Sequence, residues 1–226
     1  MRSFSAELVA TAPLSPRVVG MTFVADVPFP RAAGQYVTLT LDDGAAHAFS
    51  VASPFSARVP GQFEIAVTRG TTAARLLDLP LGGAVSVTGP SGSLVWKADS
   101  PALLVATGTG ISPLRAIVLD QLEQDSRHPL TLLFGCRDAS EELWGAELSR
   151  LALERARFRF VVTYSQPTLG HSGRVGRVQS YLAELVGELD PNLRAYLCGH
   201  TPMVNDCTER LLRLGVAAAQ IHGESY

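Results

Sequence analysis

Cysteine is scarce in this chain: Cys136, Cys198 and Cys207 are the only three in 226 residues. An odd number without C-x-x-C spacing argues against a disulfide framework, a zinc site or an iron–sulfur cluster, so no metal is expected. Charge of one sign is lacking too. Nineteen Lys and Arg stand against 21 Asp and Glu, for a formal net charge of -2. Neither a basic surface for nucleic acid nor an acidic tail follows from that balance. No apolar run approaches the ~20 residues that span a bilayer. The start, Met1-Arg2-Ser3-Phe4-Ser5-Ala6-Glu7, has no apolar core of a signal peptide. A reducing cytoplasm is the expected compartment. Internal repeats and low-complexity tracts are also missing.

What is present divides into two patterns. Residues 37–41, 63–68 and 85–88 alternate apolar and polar, and 4–10, 18–24 and 49–53 are further strand candidates. Pro13, Pro28, Pro30, Gly44, Pro60-Gly61 and Gly82-Gly83 punctuate them. Six short strands with one helix-like interruption at 72–79 imply an antiparallel six-stranded β-barrel. From residue 98 the period changes. Strands at 102–106, 130–134, 158–162, 195–198 and 220–222 alternate with helices at 114–122, 145–155, 178–186 and 202–214. That order implies an α/β domain with a parallel five-stranded sheet covered on both faces. The expected organisation is therefore two domains, 1–97 and 98–226, joined by a Pro- and Gly-rich linker from Gly89 to Pro101. A cleft between two such units is a common ligand site.

The strongest local motif is Thr107-Gly108-Thr109-Gly110-Ile111-Ser112-Pro113. It sits between the first parallel strand and its helix. Glycines there let a phosphate approach the backbone, and the helix start supplies N–H donors. Pro113 lies in the first turn of that helix, where a missing N–H costs little. Arg69-Gly70-Thr71-Thr72 offers a cation, a flexible backbone and two hydroxyls before the lone helix of the barrel half. On local chemistry it fits a phosphate cradle and a Thr cap with a solvated arginine equally well. His47-Ala48-Phe49-Ser50 carries an imidazole, a ring and a hydroxyl on one strand. Phe49 and Ser50 there point to opposite faces.

Taken in order, these segments resemble the ferredoxin–NADP reductase superfamily over nearly the whole chain. These flavoproteins exchange hydride with a nicotinamide nucleotide. Gly34-Gln35-Tyr36-Val37 resembles the family's G-Q-[YF]-[VL] strand, and His47-Ala48-Phe49-Ser50 its R-x-[YF]-[ST] flavin motif. Thr107 to Pro113 resembles its nicotinamide glycine motif, and Cys198-Gly199-His200-Thr201-Pro202-Met203 its C-G-x-x-x-M segment. The resemblance implies roles. His47, Ala48 and Phe49 would border the flavin, with Ser50 near N5. Arg69, Gly70, Thr71 and Thr72 would hold the flavin phosphate. Thr107, Gly108, Thr109, Gly110 and Pro113 would bind the dinucleotide pyrophosphate. Cys198, with Gly199 and Met203 beside it, would sit near nicotinamide C4. The terminal Glu224-Ser225-Tyr226 is similar to the E-x-Y ending of plant-type members. That likeness makes Tyr226 a gate over the flavin and Glu224 its polar partner.

Departures bear on function. The family's arginine is His47 here, so a permanent charge is exchanged for a largely neutral ring. Free-flavin reductases of the superfamily also carry Phe in this motif. NADH against NADPH rests on Arg137, which would meet a 2′-phosphate, and Asp138, which would meet a ribose hydroxyl. No arginine stands at 163–166, while Arg174 and Arg177 lie just beyond. NADH is the favoured nucleotide. The expectation is a flavin-dependent oxidoreductase with FAD, or alternatively FMN, passing electrons from NADH or NADPH to a redox protein such as a ferredoxin, flavodoxin or oxygenase component. Two alternatives stand beside it: a reductase of free flavin, and a non-catalytic electron-transfer or nucleotide-sensing subunit.

Overall fold

The computed structural model describes residues 2–97, 100–125, 127–188 and 192–226. The expected boundary between residues 97 and 98 adjoins Ala98 and Asp99, which lie outside the described residues.

Six antiparallel strands form the N-terminal sheet: β1 Arg2–Pro13, β2 Val18–Ala25, β3 Tyr36–Thr40, β4 Ala46–Ser50, β5 Gln62–Thr68 and β6 Ala84–Ser91. They run in the order β4-β3-β6-β1-β2-β5. Alternation is visible in β3, where Val37 and Leu39 are buried between half-exposed neighbours. The two edges meet where the Ala52 N–H donates to the Glu64 carbonyl at 2.7 Å. That closes the sheet into a barrel. Arg31 secures the same seam, donating through Nη2 to the carbonyls of Ser53, Pro54 and Gln62. Burial brings its guanidinium pKa down to about 10. The interior holds Phe23, Phe63, Met21, Ile65 and Leu76, the last from the 3-10 helix Thr72–Asp78. The strand expected at 49–53 is shifted: β4 ends at Ser50 because Ala52 already hydrogen-bonds across the seam instead of along a ladder.

The C-terminal half is a parallel sheet with four α-helices. Its elements are β7 Ala102–Thr107, α1 Ile111–Glu123, β8 Leu130–Cys136, α2 Gly145–Glu154, β9 Phe158–Tyr164, β10 Arg174–Val175, α3 Leu182–Gly187, β11 Arg194–Gly199, α4 Thr201–Arg213 and β12 Ile221–Ser225. The strand order is β10-β9-β8-β7-β11-β12. Six strands stand where five were expected. The addition is β10, two residues paired with Thr163 and Tyr164, too short to leave a period in the sequence. The helix expected at 178–186 begins as a 3-10 turn, Val178–Tyr181, before α3.

Successive residues of central β7 enter different cores, as a pleated strand covered on both faces requires. Leu104 and Ala106 pack with Leu114 and Ile117 of α1, while Leu103 and Val105 pack with Leu182, Met203 and Cys207. The α1-side core also takes in Val18, Ala33, Ala66 and Leu94 from the barrel half. The two halves thus share an apolar contact. Each buried Leu or Ile in it contributes about 1.5–3 kcal/mol.

No helix among the described residues is long and apolar enough to cross a membrane.

Candidate functional site

The glycine turn and the Cys198 segment, some ninety residues apart in sequence, are locked together. Both strand ends lie at the C-terminal edge of the sheet, where α/β proteins place ligands. A Cβ on Gly110 would lie 2.3 Å from the Cys198 carbonyl oxygen. One on Gly199 would lie 2.4 Å from Thr107 Oγ1 and 2.7 Å from Met203 Cε. Neither position has room for a side chain. Gly110 is buried, and Pro113 is buried within the first turn of α1. Thr107 Oγ1 is itself buried without a hydrogen-bond partner among the described residues.

Tyr226 closes the arrangement. Its hydroxyl donates to the Thr107 carbonyl at 3.2 Å and accepts from the Gly110 N–H at 3.0 Å and Thr109 Oγ1 at 3.2 Å. One donor and both lone pairs of the phenol are therefore satisfied by the glycine turn. Burial, the largest cause, pushes its pKa up, which keeps the phenol protonated. The residue as a whole is 55% exposed, and its ring tilts against His200 at 5.3 Å between centroids. The backbone is pinned as well, Tyr226 N–H donating to the Gly199 carbonyl at 3.2 Å.

A cavity of about 710 Å³ opens beside the Tyr226 ring. Its size falls in the ~300–1,000 Å³ range of small-molecule sites. Both halves line it: Val18, Thr68 and Thr71 from the barrel, Thr107, Gly108 and Thr109 from the turn, with Met203 and Arg137 further along.

Cys198 is 2% exposed, in register with Ala106 on one side and Glu224 on the other. Burial first, then the Glu224 charge, raise its pKa to about 12, so it is a thiol at neutral pH. Glu224 is half-buried, and that burial raises its carboxyl pKa. In β4, Ser50 and Ala48 share the more open face, whereas Phe49 is 9% exposed and belongs to the barrel core with Val37. His47 is half-buried and in register with Leu39. The aromatic beside Ser50 is Tyr36, directly across the ladder. It stands in the G-Q-Y-V motif, and strand pairing was the signal that would have singled it out. Arg69, Gly70, Thr71 and Thr72 are all exposed, and Thr71 Oγ1 donates to the Thr68 carbonyl.

Two polar features escaped the sequence. The first is Arg115 of α1, 8% exposed and ringed by acidic partners. The second concerns the arginines that were candidates for a 2′-phosphate. Arg174 is held in a bidentate pair by Glu184 at 2.7 and 2.6 Å, with its guanidinium 4.8 Å from the Tyr181 ring centroid. Arg177 lines the cavity with Arg137, whose nearest carboxylate is Glu141 at 3.9 Å. Tyr164 stands at the end of β9 and donates to Glu142 at 2.6 Å.

An antiparallel barrel and a parallel nucleotide-type sheet, sharing a cleft with a glycine turn at its base, define a two-domain reductase architecture. Residues 104–209 match the oxidoreductase NAD-binding domain family. Ferredoxin–NADP reductase B of Sorangium cellulosum is 36% identical, the alignment covering 99% of this chain and 97% of that protein. The chain therefore belongs to the ferredoxin–NADP reductase-like flavoprotein superfamily and is an NAD(P)H-dependent oxidoreductase. A ferredoxin–NAD(P)(+) reductase component of the naphthalene 1,2-dioxygenase/salicylate 5-hydroxylase systems of Ralstonia is 30% identical over 88% of the chain, which spans 61% of that protein. The fold matches a ferredoxin NADP+ reductase from Neisseria gonorrhoeae with bound FAD and NADP, at a TM-score of 0.85 and 22% identity, over 100% of this chain and 99% of that one.

Proposed function

We propose that residues 1–97 form a flavin-binding domain and 98–226 a nucleotide-binding domain. In this reading the protein passes reducing equivalents from NADH through bound FAD to a redox-protein acceptor in the cytoplasm. The observation that carries the proposal is the cavity shared by both halves, with the Tyr226 hydroxyl seated on the glycine turn at its edge. The residues fit the groups. Thr107 Oγ1 is a buried polar atom beside the turn with no partner among the described residues. The Arg69–Thr72 segment is an exposed cradle, and a Cβ at Gly70 would meet nothing within 4 Å. When bound, FAD accepts a hydride and releases electrons singly.

The chain's own residues supply binding and order. Gly108 to Gly110 offer backbone donors to a pyrophosphate. Ser50 positions flavin N5 and Tyr36, across the ladder from it, borders the ring system, the place the family likeness had given to Phe49, whose ring instead fills the barrel core; Arg69 with Thr71 and Thr72 neutralises the flavin phosphate. Cys198, kept as a neutral thiol, walls the nicotinamide position without charge. Tyr226 holds that position until nucleotide displaces it, with Glu224 as the polar neighbour on the same strand. NADH is favoured because Arg174 is committed to Glu184 and position 164 carries Tyr. Ferredoxin, flavodoxin or an oxygenase component is the acceptor class.

A second reading has a specific observation behind it. His47 replaces the family's arginine and the phosphate cradle is exposed, which suits a reductase that releases its flavin as product. One experiment separates the two. The flavin retained on purification is identified after heating, and its anaerobic reduction by NADH and NADPH is timed. A yellow protein with stoichiometric FAD reduced faster by NADH supports the proposal. A colourless protein that reduces added FMN or riboflavin replaces it with the second reading.

A further inference from the structure

The Arg115 cluster lies where the two halves meet and contains none of the residues given a role above. Arg115 is on α1, four positions past Ile111, the first residue of that helix. At ~1.5 Å rise per residue it stands about one turn from the glycine motif. Its Nη1 donates to the Ala52 carbonyl at 2.7 Å and to Glu64 Oε2 at 2.9 Å. Its Nε and Nη2 donate to the two oxygens of Glu147 at 2.7 and 3.1 Å. The Trp144 indole donates to the other oxygen of Glu64 at 3.2 Å, and its ring lies 4.8 Å beneath the guanidinium. Ala52 is two residues past Ser50, and Glu64 is on β5. One buried guanidinium thus ties the barrel seam, α1 and α2 together. Four of its five N–H groups are used.

A buried ion cluster of this kind is a poor source of stability, because desolvation offsets the attraction. Its use here is geometric. The planar fork fixes direction as well as distance, which a lysine does not. The apolar contact around Val18, Ala66 and Leu114 holds the halves together, but the hydrophobic effect behind it imposes no direction. The fork supplies one. We infer that Arg115 is a positioning residue: it sets the separation between the Ser50–Ala52 segment and the glycine turn, hence the gap that hydride crosses. This inference rests on the proposed site, with flavin at Ser50 and nucleotide on Gly108–Gly110.

The test uses purified holoprotein in anaerobic stopped flow, with flavin bleaching followed at saturating nucleotide. Arg115→Met is expected to keep its flavin content and nucleotide Kd within about twofold while bleaching slows about 10–100-fold, the scale of an ångström-sized misplacement. Arg115→Lys recovers only part of the rate. Glu64→Gln and Trp144→Phe, which weaken one arm each, slow it by smaller factors. A purely structural cluster lowers Tm and leaves the bleaching rate of folded protein unchanged, and that result in Arg115→Met overturns the inference. Should Arg115→Met fail to fold, wild-type rates in both Glu64→Gln and Trp144→Phe overturn it. A wild-type protein whose flavin neither nucleotide reduces defeats the site assignment itself, and the positioning role falls with it.

Discussion

The two glycine-bearing turns of this protein are built on opposite plans. At 107–113 the second half of the turn is packed: Gly110 lies against the Cys198 backbone, and the phenol of Tyr226 accepts from the Gly110 N–H and Thr109 Oγ1. At 69–72 the chain is open. Gly70 has φ +75° and empty space where a side chain would go. The first turn is shaped by the protein before any ligand arrives. The second is shaped by its local backbone alone, with Thr71 Oγ1 donating to the Thr68 carbonyl. Preorganisation lowers the cost of binding, so under the proposed roles the nucleotide seat would be specific before binding, whereas the flavin cradle would gain its order on contact.

The sharpest way to break this contrast is Gly110→Ala. The added carbon meets backbone rather than a flexible side chain, so the variant should lose about 2–4 kcal/mol. Thermal unfolding should register that as a Tm lowered by about 5–15 °C. An unchanged Tm would mean the packed turn yields easily. Tyr226→Ala comes next. It removes three neutral hydrogen bonds at a half-exposed ring, leaving donors free for nucleotide. NAD+ titration of the flavin spectrum should show affinity raised about tenfold, or ~1.4 kcal/mol. Unchanged affinity with no new charge-transfer band would remove the gate.

Gly70→Ala tests the open turn. Nothing clashes, so only the left-handed backbone opposes it, at about 1 kcal/mol. A loss as large as that of Gly110→Ala would erase the distinction between the turns. Glu224→Gln should have the smallest effect and the most informative pH dependence. Burial raises the Glu224 pKa in the folded state, so the fold binds that proton more tightly than the unfolded chain does. The associated stability is present at acid pH and is lost as pH rises through the carboxylate range. The glutamine variant should therefore match wild type near pH 4 and melt slightly higher at pH 7. Equal melting at both values would show the carboxylate well solvated.

Much of this was legible in the chain because it rests on local signals. The change of period near residue 98, the Gly-x-Gly between strand and helix, and the order of motifs are short-range patterns. Of the twelve strands among the described residues they anticipated eleven, one of them, 49–53, out of step with the observed Ala46–Ser50. The twelfth, Arg174–Val175, forms only because Thr163 and Tyr164 offer a ladder beside it. The Arg115 cluster was illegible for the same reason: its partners lie 63, 51 and 32 positions away. An arginine within an otherwise apolar helix start reads as solvated until tertiary contacts surround it. Phe49 illustrates a subtler limit. Alternation showed that Phe49 and Ser50 oppose each other, but only closure of the barrel decides which face is inside.

The terminal tyrosine is held by its backbone as well as its side chain. Ser225 is in register with Gly199, and the Tyr226 N–H bonds the Gly199 carbonyl. Displacing the ring therefore requires no peeling of the strand, only rotation about the side-chain torsions once the phenol releases its hydrogen bonds. Rotamer changes of exposed side chains occur in picoseconds to nanoseconds, whereas lid opening takes microseconds or longer. Against the ~10 turnovers per second of an ordinary enzyme, a gate hinged on χ1 is always in equilibrium. In the proposed role Tyr226 would act as a competitor of fixed strength, setting how tightly nucleotide is held and leaving the pace of turnover to other steps.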